Sequence, residues 1–218
     1  MGIAIRGRQI ERVFVIDDDR YSRESSGYTV EESPFTPVIQ DQGIADLNVF
    51  LENNVSYTDA VVSDHHLKKR NYFPVNGAKV IFECYQRRIP AVLVTRYGQS
   101  EINEIRKFRE NIPTVLTPDE FNPETLIRSL ETCINEFLGN HKPERVAWRT
   151  LIRVDDVVDN NVFIFIPGWD YQVSLSLNKL DLPKNIQDII KPDMRIHAKV
   201  NVGAERQDEL YFKDWEIK

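Results

Sequence analysis

Short apolar runs alternate with amphipathic stretches through the first 140 residues. Val13-Phe14-Val15-Ile16, Ala60-Val61-Val62 and Ala91-Val92-Leu93-Val94 are continuous runs of small or β-branched apolar residues. Runs this short, bounded by polar or turn-forming residues, predict buried parallel strands. Together with shorter runs they place strands over 12–16, 36–40, 60–63, 91–95 and 114–117. Between them, helical spacing predicts helices over 43–53, with Ile44, Leu47 and Leu51 on one face, and over 78–88. A third helix is predicted over 101–111, where Ile102, Ile105 and Phe108 recur at three-residue spacing. A fourth, over 123–138, carries a broad apolar stripe from Leu126 to Leu138, with Asn122 as cap, Pro123 at the first position and Gly139 as stop. Residues 20–33 break the pattern. Serine pairs, a glycine and no steady apolar stripe predict a short or broken helix or an extended lobe. Residues 1–11 read as a lead-in, an extra strand or a loose arm.

Strands alternating with helices in this way predict an α/β domain over 1–139: a doubly wound, five-stranded parallel sheet covered on both faces. Residues 140–148 read as a linker. The pattern then becomes β, with strands predicted over 151–158, 162–166, 171–177, 195–202 and 210–215 and a helical piece over 183–190. The turns are marked by Asp159-Asn160-Asn161 and Pro167-Gly168. Five strands with a helix between the third and fourth predict a second, smaller all-β domain over 149–218, a small OB-like β-barrel.

Composition narrows the function classes. The 218 residues are 41% hydrophobic and 28% charged, with a formal net charge of −6. That balance argues against broad electrostatic attraction to nucleic acid or anionic membranes. No apolar run approaches the roughly 20 residues that span a bilayer, and the first residues lack the core of a signal peptide. Cys84 and Cys133 lie far apart with no metal-ligand spacing and read as reduced, buried thiols. The expectation is a cytoplasmic protein. In the second domain Phe163, Phe165, Trp169, Tyr171, Tyr211, Phe212 and Trp215 suit base stacking in principle. The local charge is slightly acidic, however, and core packing comes first, protein binding second and nucleic acid last.

The candidate chemistry is acidic. The strand at 12–16 runs into Asp17-Asp18-Asp19 and the strand at 60–63 runs into Asp64. Neighbouring strands ending on acids at the carboxyl edge of a sheet, where open α/β folds place their sites, gather carboxylates in one pocket. An all-oxygen set of this kind favours Mg²⁺.

In this order and spacing, the first 140 residues resemble the receiver domain of two-component response regulators. The resemblance implies that Asp17 and Asp18 bind Mg²⁺ together with the backbone carbonyl of His66. Asp64 is then the phosphoacceptor, and Thr95, closing Val92-Leu93-Val94-Thr95, is the hydroxyl that contacts the phosphoryl group. Pro118 and the region of Phe121 match the turn after the fifth strand. The implied function is that of a non-enzymatic signalling protein. It would be phosphorylated by a histidine kinase or other phosphodonor, and the barrel would relay its state to a protein partner. The chain departs from the family at Thr117, where a lysine is expected, and at Thr114, where an aromatic residue is expected; Arg96 is a neighbour able to reach inward. These departures leave open a pseudo-receiver, a scaffold that works without phosphorylation. Asp64-His65-His66 also spells the motif of the DHH metal-dependent phosphoesterases, which need further histidines and acids on earlier loops. Beyond the pair, the chain offers only His141 and His197. The plain alternative for His65 and His66 is two loop residues at the sheet edge.

Overall fold

Residues 2–68, 72–96 and 99–217 are described in a computed structural model. Contacts divide the chain into two units, Met1–Gly98 with Asn111–Asn140 and Gln99–Glu110 with His141–Lys218.

The first unit opens with a hairpin of β1 (Ile3–Ile5) and β2 (Arg8–Ile10). Arg6 and Gly7 turn it at positive φ, 50° and 81°, as a tight two-residue hairpin connection requires. The lead-in is thus an ordered ribbon, and it buries Ile5 and Ile10 in the core. The sheet follows with β3 (Arg12–Ile16), β4 (Thr36–Ile39), β5 (Asp59–Ser63), β6 (Ala91–Val94) and β7 (Val115–Leu116). All pair in parallel in the order β4-β3-β5-β6-β7. That order is the flavodoxin-like one, whose switch point lies between its first and third strands, here β3 and β5.

Period-two alternation sorts the strand side chains to two layers. Val13, Val15, Val62, Val92 and Val94 share a core with residues of α1 (Arg20–Glu31) and α5 (Pro123–Phe137), including Val30, Leu126, Leu130 and Ile134. Phe14 points the other way, edge-on to Phe50 of α2 (Leu47–Asn54) at 5.9 Å, and α3 (Gly77–Gln86) packs against β5 and β6. Asn122 caps α5 as expected, accepting from the N–H groups of Glu124 and Thr125. Cys84 and Cys133 are free and buried.

The segment after β3 differs from its expectation. It is a continuous helix of 12 residues, capped by Asp19, whose side chain accepts from the N–H of Ser22. Its buried stripe is Arg23, Gly27 and Val30, spaced correctly for a helix but carrying only one conventional apolar residue. Gly27 is there for close approach: a Cβ would sit 2.6 Å from Cδ1 of Ile39 on β4.

The second unit begins with α4 (Gln99–Arg106), the helix that the sequence places inside the first domain. Its continuation is held to the second unit by polar bonds. Arg145 is buried and donates to the carbonyls of Arg109 (2.8 Å) and Glu110 (2.6 Å), and Lys213 meets the Glu110 carboxylate at 2.5 Å. Arg145 lies within the predicted linker, which is therefore anchored by its own side chains. Strands β8 (Trp148–Val158), β9 (Asn161–Ile166), β10 (Asp170–Asn178), β11 (Arg195–Val200) and β12 (Phe212–Glu216) form an antiparallel sheet in the order β10-β9-β8-β11-β12. The short α6 (Lys184–Gln187) lies between β10 and β11 in the chain. Ile152, Ile164, Ile166, Ile196 and Val200 fill one face with Leu182 and Ile186. Where a barrel is expected, the recorded ladders give a five-stranded sheet with β10 and β12 at its margins. No ladder joins these two among the described residues.

Candidate metal centre and acidic groove

Register brings the acids together. At the start of β3, Arg12 meets Asp59 of β5 in a two-oxygen ion pair, Nε to Oδ1 at 2.8 Å and Nη2 to Oδ2 at 2.7 Å. Burial alone would raise the pKa of Asp59. The Arg12 guanidinium and the N–H and hydroxyl of Ser56 overcome that and hold it below its ordinary value. Arg12 and Asp59 are register partners, as are Ile16 and Ser63 at the other end. Asp17 and Asp64 are the next residues on these strands, and the Asp64 N–H donates to the Ile16 carbonyl at 2.9 Å. The parallel ladder, with this ion pair at its amino edge, therefore sets which acids face each other at the carboxyl edge.

Asp17, Asp18 and Asp64 each offer a carboxylate oxygen, and these oxygens lie within 4.8 Å of one another. Asp17 is buried and accepts from the Asp19 N–H at 2.8 Å. Burial, with the charges of Asp64, Asp18 and Asp19 adding to it, pushes its pKa up to about 7 against that hydrogen bond. Asp64 accepts from the His66 N–H at 2.9 Å. Like charges this close repel unless a proton or cation lies among them. The donor set is all oxygen, partly buried and convergent, which suits a hard divalent ion.

The turn carrying Asp64 is clamped from α3. The Gly77 N–H donates to the His65 carbonyl at 2.8 Å, and the Ser63 hydroxyl donates to the Asp64 carbonyl at 2.8 Å. A Cβ on Gly77 would lie 1.8 Å from the Asp64 carbonyl oxygen, so only glycine lets the helix approach this turn. The helix predicted over 78–88 leaves Gly77 just outside it and without a role, because the need for glycine comes from the Asp64 turn and not from the helix's own periodicity. His65 is a loop residue at the sheet edge, as the plain alternative has it, but a fully buried one, its Nδ1 accepting a long 3.4 Å bond from the Ala78 N–H. His66 lies against it edge-on at 5.3 Å. The cluster of possible ligands contains carboxylates and neither histidine, which does not match the mixed His and acid set of a DHH-type site.

The acids open onto a groove of about 640 Å³. One wall is α1, presenting Ser22, Ser25, Ser26 and Thr29; the far side is Val94, Arg96, Pro118 and Phe121. The serines that obscure this helix in the sequence are thus its groove-facing hydroxyls. Among the described residues Arg96 is the one lysine or arginine in the lining, and it pairs with Asp119 at 3.2 Å, both side chains largely exposed. Thr95 is buried at the end of β6. Its Oγ1 has no hydrogen-bond partner among the described residues, and its neighbours Val94 and Arg96 line the groove in its place. Thr117, which stands where a lysine is expected, binds Glu120 through both its N–H (2.8 Å) and its hydroxyl (3.0 Å).

No protein-family model and no curated protein matches the chain. Solved structures similar to it include a response regulator receiver domain protein from Clostridium thermocellum, 17% identical over 59% of this chain and 98% of that one, with a TM-score of 0.45. The chemotaxis response regulator CheY4 of Vibrio cholerae is 18% identical over 57% and 98%, with a TM-score of 0.40. The Mn²⁺-bound form of response regulator Rcp1 is 18% identical over 61% and 97%, with a TM-score of 0.37. The chain is thus similar to response regulator receiver domains over about 59% of its length.

Proposed function

We propose that the first unit is a receiver-type switch in a two-component-like signalling protein, in which Asp64 accepts a phosphoryl group. The observation that carries this reading is the convergence of Asp17, Asp18 and Asp64 within 4.8 Å at the ends of two register-locked strands. Asp17, Asp18, Asp64 and the His66 carbonyl would hold Mg²⁺, and the bound ion would offset the repulsion between the acids and an incoming phosphoryl group. An Asp64 carboxylate oxygen forms the new P–O bond. The donor's P–N bond, in a phosphohistidine, or its P–O bond, in an acyl phosphate, breaks, and the leaving group departs with the electron pair. Thr95 is the hydroxyl expected to follow the new phosphate once the end of β6 turns it toward the groove. The second unit, which we read as an OB-like domain, passes the state to a protein partner.

A second reading, a phosphorylation-independent scaffold, is favoured by one observation. Thr117 is bound to Glu120, and no lysine lines the groove among the described residues. Incubation with acetyl phosphate and Mg²⁺, followed by intact mass, separates the two. The proposal expects one phosphoryl adduct that Asp64→Ala cannot acquire. A folded protein that takes up none is the scaffold.

A further inference from the structure

Burying a guanidinium is costly unless its donors are used. For Arg8, Arg106 and Arg145, all buried, the use is the same: each joins segments far apart in the chain. Arg8 donates to the carbonyls of Tyr57 and Arg88, and Arg145 to those of Arg109 and Glu110. Arg106 sits at the end of α4 beside a cavity of about 160 Å³, which Leu177 of β10 and Phe212 and Trp215 of β12 also line. The cavity lies where α4 covers the two marginal strands of the sheet. Arg106 donates to Asn103 Oδ1 at 2.5 Å, to the Ser176 carbonyl at 3.4 Å and to the Gln207 carbonyl at 3.0 Å, which attaches α4 to the rest of the second unit.

Arg23 is different. It is 9% exposed on α1, and its Nη1 donates at 2.5 Å to the carbonyl of Asp17, only six residues back. That carbonyl belongs to the peptide joining Asp17 to Asp18, two of the three convergent acids. The peptide is planar, so holding its oxygen restrains the plane from which both side chains project. A methionine here would fill the buried stripe of α1 with no charge to desolvate, so packing alone does not account for an arginine.

Tyr72 backs the guanidinium. Its ring centroid lies 5.5 Å from Arg23 Cζ, within cation–π range. The residue is buried on the stretch that runs from Asp64 to α3, where the Phe73 N–H returns to the Leu67 carbonyl at 3.0 Å. Its hydroxyl donates to the Gln40 carbonyl just beyond β4, and its own carbonyl accepts from the Ile44 N–H at 2.8 Å. Burial raises the pKa of this phenol, and the Arg23 charge and the Asp17 N–H oppose the rise. The connections after β3, β4 and β5 thus meet at one arginine–tyrosine pair, and neither member lines the groove.

We propose that Arg23 and Tyr72 are positioning residues for a divalent cation, holding the Asp17–Asp18 peptide so that its two carboxylates are presented to the ion. The inference rests on the receiver reading and extends its cation site to two side chains behind the acids. Groups that orient metal ligands from behind commonly govern affinity by about 10–100-fold.

The test titrates the full-length protein with Mn²⁺ at pH 8, following free Mn²⁺ by electron paramagnetic resonance, beside urea unfolding of each variant in EDTA. Mn²⁺ suits the same oxygen ligands as Mg²⁺. Arg23→Met, which keeps an unbranched stem and loses the donors, is expected to raise the Kd about tenfold. Arg23→Lys, which keeps the charge and a donor, should recover most of that loss. Tyr72→Leu should raise the Kd several-fold, and it decides the matter if Arg23→Met does not fold. Val30→Ala, in the same helix, should lower the urea midpoint and leave the Kd unchanged. The inference is overturned if the folded variants of Arg23 and Tyr72 bind Mn²⁺ as the wild type does. It is also overturned if Val30→Ala weakens binding as much as Arg23→Met, since the effect would then be one of helix stability alone. A wild-type protein that binds no Mn²⁺ overturns instead the cation site on which the receiver reading itself stands.

Discussion

The acidic groove of the first unit and the Arg106 cavity of the second both bury charge at the margin of a sheet, but they do so by different routes. In the groove, parallel strands deliver the charge. The ladder of β3 and β5, begun by the Arg12–Asp59 pair, holds their register, and the next residues beyond the strands are acids. The excess is negative and shared among Asp17, Asp18 and Asp64. In the cavity, a single guanidinium arrives on a helix that covers two marginal strands, and its hydrogen bonds go only to neutral acceptors, with the charge of Asp208 acting on it without a direct bond. A cluster of like charges can relieve itself by holding a proton, as the raised pKa of Asp17 indicates. A lone buried arginine cannot lose its proton at neutral pH. The first site is therefore tunable by pH and cation, whereas the charge of the second is fixed at neutral pH.

The largest effect that would break this contrast is steric. Gly77→Ala drives a Cβ into the Asp64 carbonyl, and either α3 or the acid-bearing turn must move. We expect a loss of about 3 kcal/mol or more in urea unfolding, together with loss of any divalent-cation stabilisation. A variant with wild-type stability would show that α3 does not set the Asp64 turn.

Next comes pH. The folded pKa of Asp17, about 7, lies above its ordinary 3.8. The stability it contributes is complete below about pH 4 and is lost as pH rises through 7, at up to about 1.4 kcal/mol per unit. In EDTA the urea midpoint should therefore fall from pH 5 to pH 8, and Mg²⁺ should restore it most at pH 8. In Asp17→Asn both the fall and the Mg²⁺ response should largely vanish. A wild-type midpoint flat across this range, with or without Mg²⁺, would remove the raised Asp17 from the account.

The smallest effect concerns Arg96. Its partner Asp119 is almost fully exposed, so Arg96→Ala should change stability by no more than about 0.5 kcal/mol. If Arg96 is the cation that serves phosphoryl uptake in place of the lysine absent at Thr117, the same variant should slow acetyl phosphate labelling about tenfold, the equivalent of ~1.4 kcal/mol of barrier. Unchanged labelling would restrict Arg96 to a surface pair.

How much of this was open to reading before folding varies from residue to residue. The runs Val13–Ile16 and Ala60–Val62 are strands because a buried parallel sheet demands continuous apolar sequence, and Asp17, Asp18 and Asp64 reach its carboxyl edge because they follow directly. The strands of the second unit followed from their alternation for the same local reason. The helix α1 was not visible, because its buried face is an arginine stem, a glycine and a valine, and only contact with β4 makes Gly27 a core residue. Nothing in the periodicity of 101–111 says which sheet it serves. That was decided by Arg145, Lys213 and Arg106 finding acceptors more than 30 residues away in sequence.

Local pattern thus settled the strands, most helices and the acids, since hydrophobic period and strand-end position are properties of neighbouring residues. Tertiary structure alone decided that Gly77 must be glycine, that His65 is interior, that Thr95 is buried beside the groove, and that Arg106 is a buried charge. Each of these depends on what a distant segment brings within a few ångströms, and a one-dimensional pattern does not carry that information.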